Sequence, residues 1–538
     1  ALLSSILDMA NTNDIGFSKL VSFGNKSDID ELDMLEALGE DDETQVIAGY
    51  LESITNGEEF IEKAKAVAAK KPVLLMKSGV SSAGAKAASS HTGSLAGSDT
   101  AYRCAFQRTG VVRCDSITTQ FDFARAFAHQ PVPKGARVAV VTNAGGAGIM
   151  ATDAVEKEGL QFADLTDETK KKLAENLPAA ANVKNPVDVL GDALADRYEF
   201  AIDVVLDDPN VDVVLVLLTP QVMTQSKETA EAVVNASKQR AEKPVLACFI
   251  GAEKVMPGWD VLQKGEVPQY DSPEAAVKTI KAMVDYSTWL GKPERKLESF
   301  DVDKAKVESV INDHLEKGMR EVGELDAKEV LKAYGFSTPA GAIAESSEKA
   351  VELAKEIGFP VVMKIWSPDI SHKSDVGGVK VNLKNAEEVK DAYDTMMTEI
   401  PKKMPDAKLV GVYIQEMSDP GREIIIGVKR DPQFGPMIMF GLGGIFVEVL
   451  KDVTFALAPL TKQEAVEMMK KTRSYKLLEG VRGQQGVDLD LLAENLQRLG
   501  QLVSDFPQIA ELDINPMFAG PKGTNPVAVD ARMSVEKA

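Results

Sequence analysis

Arg137-Val138-Ala139-Val140-Val141-Thr142-Asn143-Ala144-Gly145-Gly146-Ala147-Gly148 is the stretch that decides the fold class. Arg137–Thr142 reads as a strand, Asn143–Gly148 as a glycine loop and Ile149–Gly159 as a helix. Strand, glycine turn and helix in that order are the repeating unit of a parallel, doubly wound sheet.

Working outward, the same alternation continues. Val211–Leu218 is a strongly apolar strand, followed by Thr219-Pro220-Gln221 and a helix, and Pro244–Ile250 is a further strand. Residues 132–291 therefore read as one doubly wound α/β domain. Upstream, Thr44–Leu51 reads as a strand, Glu59–Ala69 as a helix and Pro72–Met76 as a strand; a glycine- and serine-rich loop and a helix over Asp99–Thr109 follow. Residues 1–131 form a second α/β unit, whose first strand is expected to be cut off. Residues 292–304 are charged and proline-bearing, and read as a linker.

Downstream the alternation stops. Ala305–Lys317 and Asp326–Tyr334 are helical. Strands are expected at Val361–Ile365, Val379–Val381, Val410–Gln415, Glu423–Arg430, Ile509–Ile514 and Val527–Asp530. Helices and strands mixed in this way favour an α+β domain over 305–538.

Composition narrows the function. The chain has 538 residues, 44% apolar and 27% charged, which is enough for several cores. A net charge of −21 repels nucleic acid and anionic membrane, so an anionic ligand must be held locally by backbone N–H groups and a few cations. No apolar run is long enough to span a bilayer. Cys104, Cys114 and Cys248 form no CxxC pair and suit a reducing cytoplasm.

Five local patterns bear on chemistry. His91 lies in Ser90-His91-Thr92-Gly93-Ser94, a small-residue loop ahead of a helix start, where an anion is favoured. An N-capped loop with an incidental surface histidine would read the same way. Asn143, Gly145 and Gly146 lie in a turn that suits a phosphate cradle, although it has neither the GxGxxG spacing nor GK[ST]. Lys364 ends an apolar strand and is followed by Ser371-His372-Lys373-Ser374 and the pair Gly377-Gly378. A lysine under a glycine flap can reach nucleotide phosphates, and an ordinary surface β-loop would look similar. Asp513 and Asn515 are two apart on one strand face, and Asp530 follows; oxygen ligands so placed suit Mg²⁺. Glu52 ends a strand at a sheet edge, where an acid could support an imidazole nucleophile.

Read in order, these patterns resemble the NDP-forming acyl-CoA synthetase superfamily, above all its ADP-forming branch. Ser22-Phe23-Gly24-Asn25-Lys26, Lys77-Ser78-Gly79, Ser90-His91-Thr92-Gly93 and Asn185-Pro186-Val187-Asp188 carry the likeness in the first half. Phe434-Gly435-Pro436, Phe440-Gly441-Leu442-Gly443-Gly444 and Asp513-Ile514-Asn515-Pro516 carry it in the second. The resemblance implies two flavodoxin-like CoA-ligase domains followed by an ATP-grasp domain. It implies that His91 is phosphorylated, that Glu52 supports it and that His372 relays phosphate. It further implies that Lys364 holds phosphates, that Gln415, Glu416 and Met417 line adenine through their backbone, and that Asp513, Asn515 and Asp530 bind Mg²⁺. The substrates implied are ADP or ATP, CoA and its thioester, a carboxylic acid and phosphate, handled by a cytoplasmic homodimer. A CoA-binding domain that fused members carry is expected ahead of Ala1. Two rivals are a synthetase-like regulatory module of a protein lysine acetyltransferase and a non-catalytic acyl-CoA or nucleotide sensor. His91 argues against the first, since such modules tend to lose the phosphorylated histidine, and Glu52, His91, Lys364 and Asp513 together argue against the second.

Overall fold

The computed structural model describes the whole chain except residues 1, 13–14, 25, 80–97, 371–372, 482 and 538. His91 and His372 lie outside the described residues. By its internal contacts the chain divides into two compact bodies, residues 1–294 and 295–538.

The first body holds two all-parallel sheets. The smaller one orders Ile47–Leu51, Val73–Lys77 and Val112–Arg113 side by side. The larger centres on Arg137–Thr142 and Val213–Leu218, with Val245–Phe249 beyond the second of these. Every residue of Val213–Leu218 is buried, as a strand covered by helices on both faces must be. The helix Pro273–Leu290 serves both sheets. Its Ala276, Val277 and Ile280 pack into the core of the larger sheet, while Met283 and Tyr286 pack under the smaller. The Tyr286 hydroxyl donates to the Ala68 carbonyl at 2.7 Å, which fixes that contact.

The glycine run differs from its reading as a loop. The helix begins at Gly145, so the glycines form its first turn. Glycine disfavours helix interiors, which hid this start, but a first turn tolerates it and gains close access to the backbone.

Asn185 does what a strand would do. It sits where the short strands Gln161–Phe162 and Val187–Asp188 leave a gap beside Arg137–Thr142. Its Oδ1 accepts from Val140 N at 2.9 Å, and its Nδ2 donates to Val138 O at 2.8 Å and Ala163 O at 3.1 Å. Asn185→Ala should therefore cost roughly 2–3 kcal/mol, about one per lost bond with backbone groups left unpaired. Chemical denaturation followed through the first body's transition checks this; a loss below about 0.5 kcal/mol would contradict it.

The second body is α+β. A four-stranded antiparallel sheet runs in the order Gly341–Ala344, Gly411–Glu416, Val361–Trp366, Val379–Leu383, backed by helices Ser347–Ile357 and Ala386–Lys403. A larger antiparallel sheet takes Arg422–Asp431 and Ile509–Ala519 as its central pair, flanked by Gly435–Leu442, Val453–Leu457, Ala531–Val535 and Glu321–Val322. Its core is closed by the helix Leu489–Asp505 and by Glu324–Ala333.

Candidate active site

Alternation builds a buried polar cluster in the second body. Along Val361–Trp366, Val361, Met363 and Ile365 enter the core of the four-stranded sheet, so Lys364 points from the opposite face. Tyr413 pairs with Lys364 in register and shares that face, as does Gln415. The helix Glu324–Ala333 buries Ala327, Val330 and Leu331 in the larger sheet's core and turns Glu324 and Lys328, one helical turn apart, toward these side chains.

The result is a carboxylate ringed by ammonium groups. Lys364 Nζ donates to Glu324 Oε1 at 2.6 Å and to Val529 O at 3.2 Å, and lies 3.5 Å from Asp530 Oδ2. Lys328 Nζ donates to Glu324 Oε1 at 2.9 Å and Gln415 Oε1 at 2.7 Å, and sits over the Tyr413 ring. Lys373 Nζ reaches Glu324 Oε2 at 3.2 Å. Glu324, Lys328 and Lys364 are all nearly fully buried. Burial pushes the Glu324 carboxyl up, but Lys364, Lys328 and Lys373 outweigh it and hold the group well below the usual range. Burial, reinforced by Lys364, lowers Lys328 to about 8.

Asp513, Asn515 and Asp530 line one cavity of about 140 Å³ together with Ala531 and Arg532. Asp513 and Asn515 lie on Ile509–Ala519 and Asp530 just precedes the neighbouring strand Ala531–Val535; the Asn515 N–H donates to the Asp530 carbonyl at 3.2 Å. Burial raises the Asp513 carboxyl above its ordinary value; Arg532 opposes this and Asp530 adds to it. Asp530 Oδ1 is buried without a hydrogen-bond partner. An orphaned carboxylate oxygen beside a second carboxylate and an amide oxygen fits a hard cation that keeps several waters. Among the described residues no group of three His, Cys, Asp or Glu side chains could hold a metal, so Asn515, waters and phosphate oxygens would have to complete the shell.

Gln415 enters differently from its sequence reading. Its backbone lies between the ladder partners Gly341 and Val362, and its fully buried side chain faces the lysines. The Glu416 N–H is taken by Ala340 O at 2.8 Å, while Met417 is exposed beyond the strand end. Gly377 has φ +79°, and a side chain at Gly378 would strike Ile365 and the Lys373 carbonyl, so both glycines are demanded by the turn.

In the first body, polar groups gather at the carboxyl end of the smaller sheet. Glu52 follows the strand end, half-buried. Lys77 is buried, donates to the Ser78 carbonyl and lies 4.7 Å above the Tyr102 ring; burial lowers its pKa. Lys26 bonds Ser53 O at 2.5 Å and Glu31 at 2.7 Å. Ser98 caps the helix Asp99–Thr109. In the larger sheet, Asn143 is a staple: its amide donates to Thr219 O and accepts from Thr219 N, both at 2.9 Å. The helix it precedes has Ala144 at its N-cap and no side-chain cap, and the space beside Gly146 is open. Uncapped N–H groups there suit an anion.

Glu324 and Lys328 escaped the sequence reading, and Lys77 was noted only within a run. The Glu-x-x-x-Lys spacing was the available signal, but it is common on solvated helices.

Models of three families match the chain: a succinyl-CoA ligase-like flavodoxin domain over residues 1–127, a ligase-CoA domain over 138–289 and an ATP-grasp domain over 313–535. An ADP-forming acetate–CoA ligase of Archaeoglobus fulgidus is 43% identical over 99% of this chain and 76% of its own length. A 4-hydroxybutyrate–CoA ligase, ADP-forming, of Nitrosopumilus maritimus is also 43% identical, over 99% of this chain and 77% of its own. The solved structure of a dinucleotide-forming acetyl-coenzyme A synthetase 1 of Ca. Korarchaeum cryptofilum with phosphate and ADP superposes with a TM-score of 0.52 at 33% identity, covering 54% of this chain and 63% of that one. The chain belongs to the ADP-forming acyl-CoA synthetases, acid–thiol ligases of the fused single-chain type. None of the described helices is long and apolar enough to cross a membrane.

Proposed function

We propose that the chain interconverts a short acyl-CoA, ADP and phosphate with the free acid, CoA and ATP. Phosphate attacks the thioester carbonyl, expelling CoA and leaving an acyl phosphate. His91 takes the phosphoryl group, releasing the acid, and ADP finally accepts it. Phosphoryl transfer asks for positioning and charge stabilisation more than for covalent chemistry. Glu52 orients His91, the first turn at Asn143, Gly145 and Gly146 holds phosphate, and Lys364 under Gly377 and Gly378 holds the nucleotide's phosphates. Asp513, Asn515 and Asp530 hold Mg²⁺, which when bound neutralises phosphate charge. Adenine is lined at the end of the strand Gly411–Glu416, by Gln415, Glu416 and Met417.

The observation that carries this reading is one cleft where Lys364 lies 3.5 Å from Asp530, itself beside Asp513 and Asn515 with an unpartnered oxygen. Asp513→Ala should weaken Mg·ADP binding at least about tenfold, or about 1.4 kcal/mol, in calorimetry on the whole chain. Equal binding by variant and parent would overturn the cleft assignment. The carboxylate is already strained by burial, so the melting temperature should change little.

The acid is read as a short aliphatic carboxylate, because an ADP-forming acetate ligase and a 4-hydroxybutyrate ligase stand at equal identity. The sheets support domains over 1–131, 132–291 and 305–538, with 292–304 as linker. The buried thiols of Cys104, Cys114 and Cys248 support a cytoplasmic setting. Exposed Ile149, Met150, Val222 and Met223 offer apolar surface that a second copy would cover in a homodimer.

A further inference from the structure

We propose that Glu324 is a positioning residue that competes with the nucleotide's phosphates for Lys364 and Lys373, and so keeps nucleotide binding weak enough for turnover. This rests on the nucleotide-cleft reading above. Both carboxylate oxygens of Glu324 are committed: Oε1 accepts from Lys364 and Lys328, and Oε2 from Lys373. Lys364 has three protons to give. One points at Glu324 and one at the Val529 carbonyl, and Asp530 lies 3.5 Å away for the third. A phosphate oxygen can take a full charge-assisted bond from Lys364 only by displacing one of these.

Among those acceptors the Val529 carbonyl is fixed in the backbone, and Asp530 is on the cation side. Glu324 is the acceptor that can yield, because Lys328 remains to neutralise it. Lys328 is held independently by Gln415 at 2.7 Å, so that pair persists when Lys364 and Lys373 turn away. The carboxylate also repels an incoming polyphosphate through a medium where burial limits screening. Glu324 thus opposes the nucleotide twice, by occupying its donors and by its charge.

The test is Glu324→Gln in the whole chain. Glutamine keeps an oxygen to accept from Lys364 but removes the charge. The Kd for Mg·ADP in calorimetry should fall about tenfold, and in steady state both KM for ADP and kcat should fall, as release of nucleotide slows. A merely structural Glu324 would raise KM while lowering kcat, and unchanged or weaker ADP binding overturns the proposal. Removing a carboxylate from among three buried ammonium groups could unfold the body, so the charge-balanced pair Glu324→Gln with Lys328→Met is measured alongside and should also bind ADP more tightly. Lys364→Met separates the two claims. If it loses ADP binding while Glu324→Gln gains none, only the competition is refuted. If it binds ADP like the parent, the cleft reading fails and the competition fails with it.

Discussion

Incubated with Mg·ATP, the chain is expected to take up acid-labile, base-stable phosphate at His91, and His91→Ala to lose that part of the label. The lability identifies a phosphorus–nitrogen bond, which survives alkali and hydrolyses in acid. The described flanks of the segment support the choice of this histidine. The strand Val73–Lys77 ends at the carboxyl edge of a parallel sheet, and the helix Asp99–Thr109 begins after its Ser98 cap. That edge is where parallel sheets place chemistry. Glu52, Lys77 and Lys26 collect at the same end, so an acid and two cations are at hand. Losing a covalent carrier should lower overall turnover by roughly 10⁴-fold or more. Undiminished label in a folded His91→Ala protein would move the carrier elsewhere.

What the sequence made legible follows from physical signals that act locally. Val213–Leu218 was readable because burial on both faces demands an unbroken apolar run. Asp513 and Asn515 were readable because a two-residue spacing fixes a face, and they do line one cavity. Gly145 was misread as loop because glycine's helix propensity is poor and Ala144 supplies no capping side chain. Gly435–Leu442 and Val453–Leu457 were not marked as strands, since glycine, proline and methionine blur the first one's alternation. Glu324 and Lys328 were invisible for a deeper reason. Their spacing is that of any solvent-facing ion pair, and only the sheet face bearing Lys364 and Gln415 turns it into a buried network. Asn185 likewise looks like a turn residue until the missing strand beside Val140 is seen.

The second large effect concerns His372. His372→Ala is expected to abolish labelling of His91 from Mg·ATP while sparing labelling of His91 from acyl-CoA plus phosphate. His91→Ala should abolish the second route as well. The reasoning starts from Lys373, the described neighbour of His372, whose ammonium reaches Glu324 in the lysine cluster beside Lys364. Sequence adjacency to that lysine is what motivates reading His372 as a phosphate relay. His91 belongs to the other body, between strand Val73–Lys77 and helix Asp99–Thr109. The relay reading divides the task between two imidazoles, one for each site. In the divided scheme, phosphate from ATP must pass through His372, whereas phosphate from the acyl phosphate reaches His91 before His372 is needed. The half-reactions therefore separate under a single substitution, and radiolabel from each donor measures them one at a time. Full labelling of His91 from ATP in His372→Ala would show that His91 makes the whole journey itself. It would reduce His372 to a residue that positions phosphate, and leave the ADP-forming synthetase reaction in place.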